Sequence, residues 1–117
     1  MIVGYIYGIL VITDAGTKRP RSETELVAAT GLRFGTDFAA VYDSTMLRFW
    51  WLRPGSEAAV RAALPDDARG RWLTDDTLRA YGTYWPDGRF GHAVYALEPG
   101  VLLNPSHMGT VALAGMH

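Results

Sequence analysis

The alternation of apolar and polar residues in the first half of the chain predicts strands. Residues 2–13 are β-branched and aromatic almost throughout, which is typical of a buried strand. Residues 38–42 and 46–52 predict a strand pair, because Asp43 and Ser44 provide a turn signal between them. Both faces of residues 46–52 carry bulky side chains, so we expect this strand to be covered on both sides, by the protein itself or by a partner.

Three further strands are expected in the second half of the chain. Residues 71–73 have the composition of a short strand. Residues 92–97 and 101–104 predict a final hairpin, because a Pro-Gly turn signal at residues 98–100 joins them.

Helix-start signals precede three short apolar patterns, and the first is the clearest. Ser22, followed three residues later by Glu25, has the capping-box pattern. The helix that it opens is expected to run to about Thr30, with Leu26 and Ala29 facing inward.

The other two helices complete the predicted fold class. We expect Ser56 to cap a helix over residues 56–64, and Thr74 to cap a third helix that Gly82 closes. The sequence therefore predicts an α+β fold: an antiparallel or mixed sheet built from β-hairpins with about three short helices. The length of the chain suits a single domain that spans residues 1–117.

Composition argues against several classes of protein. The net charge of −1 and the pI of about 6.3 provide no basic field, so nucleic acid is not expected as a partner. The absence of cysteine excludes a disulfide scaffold and any thiolate metal site. The apolar N-terminal stretch is too short to span a bilayer and lacks the basic flank of a signal peptide. We therefore expect no membrane association, and the cytoplasm is the favoured compartment.

Side chains that could carry chemistry are few and scattered. His92, His107 and His117 are far apart in the sequence, and no two of them have the spacing of metal ligands. The acidic pairs at residues 66–67 and 75–76 lie at predicted helix ends, which explains them without a catalytic role. The sequence contains no phosphate-binding loop, dinucleotide fingerprint or nucleophile elbow.

Several segments nevertheless share a pattern with one family of hydrolases. Residues 9–16 (ILVITDAG) are an apolar strand that runs into Asp-x-Gly, and residues 115–117 are Gly-Met-His. Residues 42–50 (YDSTMLRFW), with the RFGH and LEPG segments at residues 89–92 and 97–100, are similar to hairpins of bacterial family members. In this order, the chain resembles the type I phosphodiesterases and nucleotide pyrophosphatases of the alkaline phosphatase superfamily.

The resemblance implies a chemistry and two site residues. The family hydrolyses small phosphoesters at two metal ions, usually zinc, with a Thr or Ser nucleophile. Asp14 matches an Asp that binds one metal, and His117 matches a His that binds the other. Ala15 stands where the family has a further ligand histidine. The family's N-terminal half, which carries the nucleophile and the remaining ligands, has no counterpart in this sequence.

One ligand for each of two metals does not make a catalytic site. We therefore expect no catalytic residue in this chain, no retained zinc and no hydrolysis by the chain alone. The expectation is a fragment or degenerate relative of a metal-dependent phosphodiesterase, whose phosphoester substrate would bind only in a complete enzyme.

An alternative interpretation is a small non-catalytic binding or self-associating module. The strand at residues 2–13 would be central in the parent fold and flanked on both sides. Without those neighbours, its unpaired hydrophobic edge would recruit another chain. This interpretation predicts a homodimer joined through residues 2–13.

Overall fold

A computed structural model describes residues 22–103, which form a four-stranded sheet and three helices. The elements are α1 (Glu23–Ala28), β1 (Phe38–Tyr42), β2 (Met46–Trp51), α2 (Ser56–Ala63), β3 (Gly70–Trp72), α3 (Asp75–Ala80) and β4 (Ala93–Leu97). The strand order is β1-β2-β4-β3, and every neighbouring pair is antiparallel. The predicted α+β class is therefore confirmed. The strand predicted at residues 2–13 lies outside the described residues.

The hairpin of β1 and β2 forms where the sequence predicts it. Asp43 N–H donates to the Met46 carbonyl at 2.9 Å and closes the turn, and Tyr42 is paired with Leu47. β2 ends at Trp51, one residue before the predicted end at Leu52.

The predicted last hairpin is wrong. β4 forms within residues 92–97, but the part of residues 101–104 that is described contains no strand. Both edges of β4 are already occupied, by β2 on one side and β3 on the other, so no edge remains for a following strand. Instead, Leu103 N–H donates to the Ser44 carbonyl at 2.8 Å, beside the first hairpin.

The capping box of α1 is confirmed. Ser22 N–H donates to Glu25 Oε1 at 2.7 Å, and Glu25 N–H donates to Ser22 Oγ at 3.3 Å. The predicted inward face is only partly right. Leu26 is partly buried against the core, but Ala29 is the exposed C-cap and Val27 is the buried residue. The helix ends two residues earlier than predicted, so Ala29 lies at its C-cap.

The starts of α2 and α3 differ from each other in their caps. Thr74 caps α3 as predicted, since its hydroxyl accepts from Thr77 N–H at 3.1 Å. Ser56 does not cap α2; Gly55 does, at a φ of 90° that favours glycine. The Ser56 hydroxyl donates to the Arg53 carbonyl at 2.7 Å and stabilises the preceding turn instead.

One face of the sheet, here called the first face, carries the hydrophobic core. Leu47 and Phe49 of β2 are fully buried on this face. Val27 of α1, Val60 of α2 and Leu64, the C-cap of α2, belong to the same cluster. Burial of apolar surface is the dominant favourable term in folding, so this cluster is a main source of stability.

The opposite face, here called the second face, carries Arg48 and Trp50. Residues 83–92 cover it: Trp50 Nε1–H donates to the Gly88 carbonyl at 2.6 Å. The Arg48 guanidinium lies 4.6 Å from the centre of the Phe90 ring. The prediction that β2 is covered on both sides is therefore confirmed.

Among residues 22–103, no helix is long and apolar enough to cross a membrane.

Candidate functional site

The two predicted metal ligands, Asp14 and His117, lie outside the described residues. The described residue nearest to Asp14 in the sequence is Ser22, directly before α1, and the one nearest to His117 is Leu103. We call Ser22 the entry point and Leu103 the exit point of the described unit.

The entry point is held by a buried ion pair. Glu23 is 2% exposed, and its carboxylate accepts two contacts from Arg69: Nε to Oε2 at 3.0 Å and Nη2 to Oε1 at 3.1 Å. A bidentate pair of this kind fixes both partners in orientation. The Arg69 carbonyl accepts from Glu98 N–H at 2.8 Å, so the same residue also holds the chain just after β4.

Burial dominates the electrostatics of Glu23. Desolvation raises the pKa of its carboxyl above the ordinary value, and the nearby Arg69 lowers it by a smaller amount. Tyr95 lies close by, and its hydroxyl donates to the Pro65 carbonyl at 3.1 Å. Burial likewise raises the pKa of Tyr95, so this phenol is protonated at neutral pH.

The exit point lies at the same end of the sheet. Leu97 N–H donates to the Thr45 carbonyl and Leu103 N–H to the Ser44 carbonyl, at 2.9 and 2.8 Å. Arg69 is adjacent to Gly70, which is paired with Leu97. We call this end of the sheet, with the β1–β2 turn and Arg69, the entry end. Both ends of the described unit are therefore anchored there.

The acidic pairs that stand out in the sequence serve local structure. Asp66 Oδ1 accepts from Trp72 N–H at 2.8 Å, and Asp67 Oδ1 accepts from Arg69 N–H at 2.8 Å. Asp76 pairs with Arg79 on the surface of α3 at 3.0 Å. Residues 22–103 contain no group of three or more His, Asp or Glu side chains that could hold a metal ion.

His92, the histidine within the described unit, is committed to the backbone. Its Nδ1 accepts from Trp51 N–H at 2.9 Å, and its own N–H donates to the Phe49 carbonyl at 2.7 Å. Only the unprotonated Nδ1 can accept such a bond. His92 therefore anchors the end of residues 83–92 to β2.

Arg48 has the one buried side-chain nitrogen of residues 22–103 that makes no hydrogen bond. Asp43 Oδ2 lies 3.9 Å from this Nε atom. Stacking against Phe90 and Trp50, at 4.6 and 5.9 Å from the ring centres, stabilises the cation, and its Nη1–H donates to the Phe90 carbonyl at 3.4 Å.

A groove of about 630 Å³ lies between α3 and the β3 side of the second face. Arg71 and Glu98 form a bidentate pair in its wall, at 3.0 Å for Nε to Oε2 and 3.1 Å for Nη2 to Oε1. Thr74, Thr77 and Tyr81 line the side formed by α3. This volume is within the range of small-molecule sites.

Sequence reasoning missed this groove. Arg71 and Glu98 are 27 residues apart, and they meet because Arg71 is paired with Ala96 in the sheet. The alternation of residues 71–73 places Arg71 on one face of its strand, but only the register of β3 against β4 brings Glu98 beside it.

Comparison of the whole chain with models of protein families, with curated proteins and with solved structures gives no match. The relation to metal-dependent phosphodiesterases therefore stays a prediction from the sequence motifs.

Proposed function

We propose that residues 22–103 are a cap unit of a metal-dependent phosphodiesterase, and that the chain alone does not hydrolyse phosphoesters. The cap would lie beside the metal site and shape the choice of substrate. The observation that supports this proposal is the anchoring of both ends of the unit at the entry end of the sheet. Units inserted into a larger protein typically have their two ends close together.

Chain length is compatible with convergence of the two predicted ligands. Asp14 precedes Ser22 by eight residues, and His117 follows Leu103 by fourteen. An extended chain covers at most about 3.3–3.6 Å per residue, so both segments can reach a common site beside the entry end. The Arg69–Glu23 pair and the bond from Glu98 to Arg69 would hold the starts of both segments in place.

Zinc donors for this site would have to come from outside residues 22–103, because the described part contains no suitable group. When bound, zinc would activate the nucleophile and stabilise the leaving oxygen. Asp14 would contribute a carboxylate and His117 an imidazole, both of which are ordinary zinc ligands. The remaining ligands and the nucleophile would belong to a complementing polypeptide.

Activity measurements test this proposal. The full chain, supplied with zinc and bis(4-nitrophenyl) phosphate, should show no hydrolysis above that of zinc in buffer. Addition of the N-terminal half of a bacterial type I phosphodiesterase, which carries the nucleophile and missing ligands, should produce turnover. That turnover should disappear in Asp14→Ala and His117→Ala. Hydrolysis by the chain alone that His117→Ala abolishes would contradict the proposal, as would a complemented activity indifferent to both substitutions.

The closeness of the two ends can be tested separately from catalysis. The chain has no cysteine, so Arg21→Cys with Asn104→Cys places one thiol just outside each end of the unit. A bis-maleimide shorter than β1 should link these thiols within one chain. Thr36→Cys with Asn104→Cys is the control, because the five residues of β1 separate Thr36 from the entry end. Equal linking of both pairs would remove the geometric support for a cap.

A further inference from the structure

The groove beside α3 differs from an apolar pocket in the mixture of groups that it presents. Arg71 uses two of its five N–H donors on Glu98 and keeps three for another partner. The Glu98 carboxylate accepts two bonds from Arg71 and retains lone pairs for further donors. The hydroxyls of Thr74 and Thr77 lie 3.0 Å from each other, and either can be the donor.

An aromatic ring is available beside these polar groups. Tyr81 lines the groove and is 69% exposed, so one ring face can receive a ligand without displacing protein atoms. Leu73 and Ala96 add apolar surface to the same groove.

Hydroxyl groups are the ligand chemistry that fits this combination. A hydroxyl donates and accepts, so one hydroxyl can bond to the guanidinium and a neighbouring one to the carboxylate. An anion fits less well, because Asp66 and Glu98 outnumber Arg71 in the lining and Glu98 already takes two of the five guanidinium donors. The apolar C–H face of a sugar ring would pack on Tyr81. We infer that this groove binds a sugar, free or as part of a larger molecule.

The inference does not depend on phosphodiester hydrolysis, so binding can be measured on the metal-free full chain. We would follow ¹H–¹⁵N spectra during titration with methyl glucoside, methyl galactoside, N-acetylglucosamine and ribose. At least one sugar should give saturable shifts that are confined to Arg71, Leu73, Thr77 and Tyr81 and their neighbours.

Substitutions distinguish a sugar site from an anion site, because the two sites predict opposite changes in affinity for Glu98→Gln. Arg71→Gln, Glu98→Gln and Tyr81→Ala should each weaken sugar binding by about tenfold or more, a loss of about 1.4 kcal/mol or more. For an anion such as phenyl phosphate, Glu98→Gln would instead strengthen binding, because it removes the competitor for Arg71.

Two variants serve as matched controls on other parts of the surface. Arg79→Gln removes a cation that pairs with Asp76, and Phe34→Ala removes an aromatic ring that is 64% exposed. Both should bind sugar as the unmodified chain does. The inference fails if none of the four sugars saturates at 50 mM, roughly the weakest affinity expected of so few contacts. It also fails if Glu98→Gln strengthens binding, or if the control variants lose it.

Discussion

The two faces of the sheet are covered by different kinds of interaction. On the first face, Phe49 packs against the rings of Trp51 and Trp72, with centroids 5.4 and 5.6 Å apart, and this ring packing is apolar. The end of α2 is also held there by hydrogen bonds from Trp72 Nε1–H and the Tyr95 hydroxyl, at 2.6 and 3.1 Å. On the second face, residues 83–92 are held by individual polar contacts to Trp50 and Arg48. A core of apolar contacts is spread over many atoms, whereas a polar attachment depends on a few groups.

This difference explains why apolar and polar side chains alternate along part of β2. Consecutive side chains of a strand point to opposite faces, so one six-residue segment supplies both kinds of covering. Most positions on the first face need only hydrophobic residues of suitable size, and Trp72 and Tyr95 there also donate to the Leu64 and Pro65 carbonyls. The second needs a donor or a cation at a defined position, since each polar contact requires a specific partner.

The largest effect is expected on the first face. Phe49→Ala removes a fully buried ring from the centre of the core and should lower the free energy of unfolding by about 3–5 kcal/mol. Urea denaturation of this variant and of Phe34→Ala, whose ring is exposed, would measure the contrast. The surface variant should change stability by less than about 1 kcal/mol. Equal losses would mean that the core is not centred on Phe49.

A smaller loss should follow from removing a donor on the second face. Trp50→Phe keeps an aromatic ring but leaves the Gly88 carbonyl without its indole donor, which should cost about 1–3 kcal/mol. Trp85→Phe is the control, because the Trp85 side chain is exposed. If the two variants were equally stable in urea, the attachment of residues 83–92 would be apolar as well.

The anchor at the end of these residues should contribute less, because it lies at the surface. His92→Ala removes the acceptor for Trp51 N–H and should cost about 0.5–1.5 kcal/mol. His92→Asn offers an amide oxygen near the position of Nδ1 and should retain part of that stability. Hydrogen exchange of the Trp51 amide would report this directly. Exchange that is equally fast in both variants would argue against an acceptor role.

The smallest effect on the free energy of unfolding is expected at the entry end. Burial raises the pKa of Glu23 there, and the charge of Arg69 lowers it. The pKa of Glu23 is raised in the folded state, so protonated Glu23 is favoured by folding. Its contribution to stability is complete below the unfolded pKa and is lost as the pH rises through the folded pKa. The difference in free energy of unfolding between the unmodified chain and Glu23→Gln should therefore be larger at pH 4 than at pH 7.

Urea denaturation at several pH values checks this sign. Glu57→Gln is the control, because Glu57 forms an exposed pair with Arg61 on α2. The pH dependence should be larger for Glu23→Gln than for this surface variant. A difference for Glu23→Gln that grew with pH would show that the ion pair with Arg69 outweighs the cost of burial.

Prediction from the sequence succeeded where the signal is local. The turn at Asp43 and Ser44, the cap at Thr74 and the capping box of Ser22 each involve residues within four positions of one another. Steric and hydrogen-bonding preferences act over that range, so the local order of residues is enough to predict these turns and caps. The hairpin predicted at residues 92–104 was wrong because the prediction paired residues 92–97 with the segment that follows them in the chain. In the structure, β4 pairs instead with β2 and β3.

The candidate site shows the same division between local signals and long-range contacts. The sequence by itself determined the strand pair, the three short helices and two motif residues, Asp14 and His117, whose role remains a prediction. Only the tertiary structure decided that Glu23 meets Arg69, 46 residues away, and that Arg71 meets Glu98, 27 residues away. The contact between Arg71 and Glu98 depends on the strand order, which places β3 beside β4. A one-residue shift of register would have reversed every side chain on β3 and separated Arg71 from Glu98.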